Sequence, residues 1–239
     1  MNKRQADIVH NLQVIHSRIV HACASCDRDP GEVQLLLATK TVDPEGIRYA
    51  IESGYTLIGE NKVQEFSSKF EALSDLIYAR HFIGHLQRNK VREVLKYADN
   101  IQTIDSIPLA MEINKEMNAR GKKLDVMIQV NTSFEESKYG LSPDEVMAFM
   151  GEMINMTHLN ITGLMTIGLP GETAEAARPS YQLLRTIGEE INNTYFERPI
   201  HQYSMGMSGD LEVAIEEGAT IVRVGSAVFG PRIYLPKTE

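Results

Sequence analysis

The sequence predicts an α/β protein built as a single (β/α)8 barrel of the TIM type, with an extra helix in front of it. Three observations carry that prediction. Apolar runs with little alternation recur about eight times, the mark of parallel strands buried on both faces. Amphipathic segments at helical spacing lie between them, joined by short connections. The 239 residues suit one barrel, and no linker, low-complexity segment or sequence repeat divides them, so residues 1–239 read as one domain. A doubly wound open sheet is the competing architecture.

The elements follow in order. Ile8, Leu12, Ile15, Ile19 and Cys23 form one apolar stripe and predict an opening helix. Asp29-Pro30-Gly31 breaks the chain before the first strand. Strands are expected near 33–40, 55–59, 81–84, 100–104, 124–130, 160–165, 201–204 and 220–225. Asp43-Pro44-Glu45 starts the helix after strand one, with Asp43 as N-cap and Pro44 in the first helical position. Helices are expected over 61–73 and 87–97, then from Ser106-Ile107-Pro108 onward. Ser142 and Glu145 form a capping box for the next. The last two helices fall over 173–192 and 209–217.

Composition narrows the function classes. Hydrophobic content is 43% and charged content 23%, normal for a globular chain with a sizeable core. A net charge of −8 argues against general binding to nucleic acid or anionic membrane, although a local basic site can still hold a phosphate. Polar residues from Asp7 to Arg18 interrupt any signal-peptide core, and no apolar stretch reaches membrane-spanning length, so a cytoplasmic location is expected. Cys23 and Cys26 close a helix instead of opening one, and no second pair completes a zinc set. His81 and His85 lack a third ligand, so no metal is expected. Glu212, Glu216 and Glu217, like Arg88, Lys90 and Arg92, read as solvated helix faces. The acidic surface leans toward a monomer.

In a barrel, chemistry collects where the strands end. The run Val33-Gln34-Leu35-Leu36-Leu37-Ala38-Thr39-Lys40 ends on a lysine. An amine there loses water, its pKa falls, and the neutral form attacks carbonyls to make a Schiff base. Alone, a terminal lysine is ordinary; the other strand ends change its weight. Ser204-Met205-Gly206-Met207-Ser208-Gly209-Asp210 and Arg223-Val224-Gly225-Ser226-Ala227 are small-residue turns after strands seven and eight, where barrels often seat a phosphate. Strand eight closes against strand one, so a ligand with both a carbonyl and a phosphate would meet Lys40. Pyridoxal 5′-phosphate and sugar phosphates both qualify. An inward Arg223 needs a partner; it either donates to an aromatic nitrogen or pairs with a carboxylate such as Glu60.

These motifs carry a resemblance. Ala38-Thr39-Lys40-Thr41, Ile58-Gly59-Glu60-Asn61-Lys62-Val63-Gln64-Glu65 and His81-Phe82-Ile83-Gly84-His85-Leu86-Gln87-Arg88-Asn89-Lys90 resemble the pyridoxal phosphate homeostasis proteins, the YggS/PROSC family. Gly163-Leu164-Met165-Thr166-Ile167 and the two turns above match as well, in order, over nearly the whole chain. The resemblance implies a barrel like the N-terminal domain of alanine racemase, the fold type III class. It implies that Lys40 holds pyridoxal 5′-phosphate as a Schiff base and that Arg223 meets the pyridine nitrogen. It also implies that Ser204, Gly225 and Ser226 help to hold the phosphate and that Asn61 lies near the ring; Met165 and Met205, in the matching motifs, join the cofactor-binding set. Two departures are visible. Arg80 stands where relatives often carry Trp, and Tyr139 lies in a segment where relatives vary.

The function implied is intracellular vitamin B6 homeostasis with influence on amino-acid and keto-acid balance, with no firm catalytic reaction. Expected partners are the cofactor, free amino acids and apo-enzymes that accept it. An arginine at the ring nitrogen weakens the electron sink that most enzymes of this cofactor use. Alanine racemases add a tyrosine base and a C-terminal β domain, and no such domain is expected here after Pro236. The alternative is a racemase or lyase of low activity, with Tyr139, His85 or His201 as the second acid/base. A Schiff-base aldolase without cofactor is the third reading.

Overall fold

The computed structural model describes residues 2–135, 137–169 and 173–230. Eight parallel strands form a closed barrel in chain order: β1 Gln34–Ala38, β2 Leu57–Glu60, β3 Ala79–Phe82, β4 Asn100–Ile104, β5 Leu124–Gln129, β6 Leu159–Met165, β7 Gln202–Ser204 and β8 Ile221–Val224. The open-sheet alternative is thereby excluded: β1 pairs with β8, Leu36 opposite Arg223 and Leu37 opposite Val224.

Side chains alternate across the barrel wall even where the sequence shows no alternation. Leu36, Met127, Met165 and Ile221 pack together inside the barrel. Leu35, Leu37, Val126, Ile128, Val222 and Val224 point outward into the larger core beneath the helices. Both faces are apolar, so a period of two is hidden within a continuous apolar run.

The opening helix, α1 Lys3–Ser25, buries the predicted stripe Ile8, Leu12, Ile15, Ile19 and Cys23. The helix after β1, α2 Pro44–Glu52, is capped as expected, Asp43 Oδ1 accepting from Gly46 N at 3.0 Å. The capping box of Ser142 with Glu145 also forms, over a 3-10 turn that leads into α6 Val146–Met153. Several predicted helices are shorter than their patterns. The 61–73 segment becomes α3 Val63–Phe70 and a 3-10 turn, and 87–97 becomes a 3-10 turn and the single turn α4 Val91–Val94. The remaining helices are α5 Ile107–Ala119, α7 Arg178–Tyr195, α8 Leu211–Glu216 and α9 Ser226–Phe229.

The acidic residues of α8 and its C-cap are ion-paired, and only Glu212 and Glu216 keep the expected partial exposure. Glu217 is buried and, with Glu216, receives Arg178 from α7 at 2.7 and 2.6 Å. Glu212 takes both donors of Arg18, tying α1 to α8. Their ion-pair partners come from other helices, which a reading of one helix at a time does not reveal. Cys23 and Cys26 are free thiols at the end of α1. Among the described residues no helix is long and apolar enough to cross a membrane, and no group of three or more His, Cys, Asp or Glu could hold a metal.

Candidate functional site

A cavity of about 420 Å³ opens at the C-terminal mouth of the barrel, within the range of small-molecule sites. Lys40 lies on its wall, two residues past the end of β1. Asn61 enters from the end of β2, Arg223 from β8, and Gly225 and Ser226 from the turn into α9. Ser208 and Gly209 face the same space from the turn before α8. The two small-residue turns thus share one cavity with the lysine.

The Lys40 turn is held from several sides. Thr39 N donates to Gly59 O at 3.0 Å, and Val42 N donates to Thr39 O at 2.9 Å. Thr41 adopts φ 65°, a left-handed conformation unusual for a β-branched residue. Beneath it lies a buried ion pair. Lys69 Nζ donates to Glu60 Oε1 at 2.7 Å and to Thr39 O at 2.8 Å, while Thr39 Oγ1 donates to Glu60 Oε1 at 2.6 Å. Burial pushes the Glu60 carboxyl above its ordinary range, against the pull of the Lys69 ammonium. The pair anchors the peptide carbonyl immediately before Lys40.

Arg223 is buried, with Nη1 donating to Ser204 Oγ at 2.8 Å and Nη2 to Thr166 O at 2.7 Å. No carboxylate binds it among the described hydrogen bonds; Glu60, the partner considered from sequence, is engaged by Lys69 instead. Burial lowers the pKa of the guanidinium, yet arginine keeps its proton in proteins. An arginine here is a fixed donor and cannot act as a general acid.

Of the sequence-predicted set, Lys40, Asn61, Arg223, Gly225 and Ser226 come together on the cavity wall. Ser204, Met165 and Met205 do not line it. The Ser204 hydroxyl is spent on Gln102 and Arg223. Met165 fills the barrel interior with Leu36 and Ile221, and Met205 is fully buried in the outer core. Of the acid/base candidates, His201 directly precedes β7 and so sits at the opposite end of the barrel from Lys40. His85 and Tyr139 stack at 3.7 Å between ring centroids, with Asp105 3.6 Å from His85 Nδ1. Neither ring lines the cavity. Arg80 forms a two-pronged pair with Asp99 and lies over the Phe70 and Tyr78 rings.

Sequence reasoning missed Arg4 and Asp43 at the rim, which form an ion pair, and the apolar wall residues Ile83, Ile167 and Phe229. Arg4 arrives from α1, far away in sequence, and no local pattern marks it. Asp43 was visible only as a helix cap.

With this geometry established, comparison with known proteins is informative. Residues 38–233 match the family model "Alanine racemase, N-terminal domain". A pyridoxal phosphate homeostasis protein of Aquifex aeolicus is 42% identical over 223 residues, 93% of this chain and 97% of that protein. The chain belongs to the pyridoxal phosphate homeostasis protein family. Among solved structures, PipY of Synechococcus elongatus PCC7942 with PLP bound superposes with TM-score 0.83 at 30% identity, covering 93% of this chain and all of that one. Alanine racemase of Clostridium difficile 630 superposes with TM-score 0.74 at 13% identity, covering 97% of this chain and 61% of that one, and shares the fold. The closed barrel of this chain is thus the fold it shares with the racemase domain.

Proposed function

We propose that the protein binds pyridoxal 5′-phosphate at the C-terminal mouth of its barrel, as a Schiff base on Lys40, and serves intracellular vitamin B6 homeostasis and amino-acid/keto-acid balance. The observation that carries the reading is the convergence of Lys40, Arg223 and two small-residue turns on one cavity of about 420 Å³. An amine for an aldehyde, a fixed donor for a ring nitrogen and small turns for a phosphate are the donor set that this cofactor needs. The cofactor supplies an aldehyde that captures amines and a ring that withdraws electrons.

In this reading Lys40 is the anchor, held in place by the Glu60–Lys69 pair under Thr39. Asn61 lies beside the ring. Gly225 and Ser226, with Ser208 and Gly209, take the phosphate. Arg223 donates to the ring nitrogen and leaves it unprotonated, because the guanidinium does not release its proton. That weakens electron withdrawal and favours a carrier over a fast catalyst. The protein would act in the cytoplasm as a monomer, exchanging the cofactor with free amines or apo-enzymes.

The His85–Tyr139 stack, backed by Asp105, favours a second reading at the same end of the barrel: a racemase or lyase of low activity. Turnover of an amino acid at ordinary enzyme rates, lost in both Lys40→Ala and His85→Ala, would support it. The deciding experiment for the primary reading is the absorption spectrum of the protein incubated with pyridoxal 5′-phosphate, wild type beside Lys40→Ala. A band near ~420 nm, the region of lysine-bound cofactor, is expected in the wild type and absent from the variant. No band in the wild type, with a sugar phosphate trapped on Lys40 by borohydride, would instead support the aldolase.

A further inference from the structure

Arg223 stands at one end of a line of side chains through the barrel interior. Its Nη1 donates to Ser204 Oγ at 2.8 Å. Ser204 Oγ donates in turn to Gln102 Oε1 at 2.7 Å. Gln102 Nε2 lies 2.8 Å from His81 Nδ1. An amide nitrogen only donates, so Nδ1 accepts and the imidazole carries its proton on Nε2. Ser204 and Gln102 are fully buried, so water does not compete for these bonds. Every link therefore has one direction, and reversing any one of them disturbs the next.

We infer that Ser204, Gln102 and His81 are positioning residues that form a directed hydrogen-bond chain, ending on the unprotonated Nδ1 of His81, which fixes how Arg223 presents its guanidinium to the cavity. A proton on Nδ1 would face the Gln102 amide N–H. The amide would have to turn over and present its nitrogen to Ser204. Ser204 would then meet donors on both sides, and its own hydroxyl proton would lose its acceptor. The hold on Arg223 would loosen at Nη1 and remain only at Thr166 O.

The surroundings of His81 keep the ring neutral, as the accepting state requires, while the Gln102 amide selects the tautomer. Burial holds the imidazole pKa down to about 4, outweighing Asp99 and Asp125, which pull it upward. Asp99 is engaged by Arg80, and Asp125 accepts from Asn160. His16 is the other histidine lining the cavity at the N-terminal end of the barrel, where His81 lies. The chain thus runs from that end of the barrel to the cofactor end.

The proposal rests on the cofactor reading only for its last link, from Arg223 to the ring. Two experiments separate the two claims. On the apo wild-type protein, 15N NMR of labelled histidine, with the His81 ring assigned by its loss in His81→Leu, should show that ring with Nδ1 unprotonated and Nε2 protonated from pH 8 down to about pH 5. In Gln102→Glu the carboxylate still accepts from Ser204 but cannot donate to Nδ1, so His81 should now carry the Nδ1 proton. On the loaded protein, Gln102→Leu and His81→Leu should each change the spectrum of the bound cofactor. Each should also weaken its affinity about tenfold, the cost of one disturbed buried hydrogen bond. The double variant should do no worse than either single one, because they break the same line.

A His81 ring in the wild type that holds its proton on Nδ1, or that titrates like a free imidazole, overturns the chain. Folded single variants with wild-type spectrum and affinity, or losses that simply add, overturn it as well. A wild-type protein that never binds pyridoxal 5′-phosphate removes the cofactor reading and the last link, and the tautomer still decides whether the chain exists.

Discussion

Among single residues, Lys69 bears most directly on the geometry around Lys40. It is a buried cation with two acceptors, Glu60 Oε1 and Thr39 O, and the second is the carbonyl that leads into Lys40. Replacing a buried pair as a whole is often tolerated, whereas removing one partner leaves an uncompensated charge. Lys69→Met should therefore destabilise the fold by about 3–5 kcal/mol, read from urea unfolding, with Lys69→Met/Glu60→Leu recovering much of the loss. A single variant within about 0.5 kcal/mol of wild type would show that the pair does not hold the turn. Arg223 is the complementary case: its charge is buried without a described carboxylate and is met by Ser204 and a backbone carbonyl, which leaves it oriented toward the cavity.

At the scale of elements, the strand ends are where the site is made, and close backbone approach sets their spacing. A Cβ on Gly84, just past β3, would fall 1.9 Å from Asn61 O on the wall after β2. That neighbour is backbone and cannot swing aside. Gly84→Ala should cost about 1–3 kcal/mol of stability by overpacking and, by displacing Asn61, reduce cofactor affinity as well. Equilibrium dialysis beside thermal melts checks both; an unchanged affinity would mean that Asn61 plays no part. Gly206 is under a similar constraint, at φ 88° with a virtual Cβ 2.5 Å from Ala214 Cβ, which lets the β7 turn fold down onto α8.

At the scale of the whole molecule, Leu36, Met127, Met165 and Ile221, with Leu57 and Ile83 against them, form an apolar layer inside the barrel, crossed by the polar line from His81 to Arg223. That arrangement has a pH consequence through His81, whose pKa falls from 6.5 to about 4 on folding. Between those values the unfolded chain binds the proton and the native protein does not. Stability therefore rises with pH across that window, is complete above about pH 6.5 and is lost progressively as pH falls to about 4. The effect is roughly 3 kcal/mol at most. Urea unfolding at pH 7 and pH 4.5 should show the loss in the wild type and a flatter dependence in His81→Gln; equal slopes would remove His81 from the account.

Legible in the sequence were the alternation of eight strands with helices, the cap at Asp43, the α1 stripe, the strand-end lysine Lys40 and the turn after Arg223; the family resemblance added Asn61. The features read from the residues are local, each written in a run, a spacing or a turn that needs no partner to be recognised, whereas closure of the barrel rests on β1 meeting β8. Tertiary structure alone decided the rest. It assigned Glu60 to Lys69 instead of Arg223, brought Arg4 to the rim, buried Glu217 among the arginines and turned Ser204 and Gln102 into supports for Arg223. It also shortened the 87–97 helix to one turn and put His201 at the far end of the barrel. Barrel closure brings together residues as far apart in the chain as Gln102 and Ser204. Which buried donor meets which acceptor is fixed by that closure, and no periodicity within a single element records it.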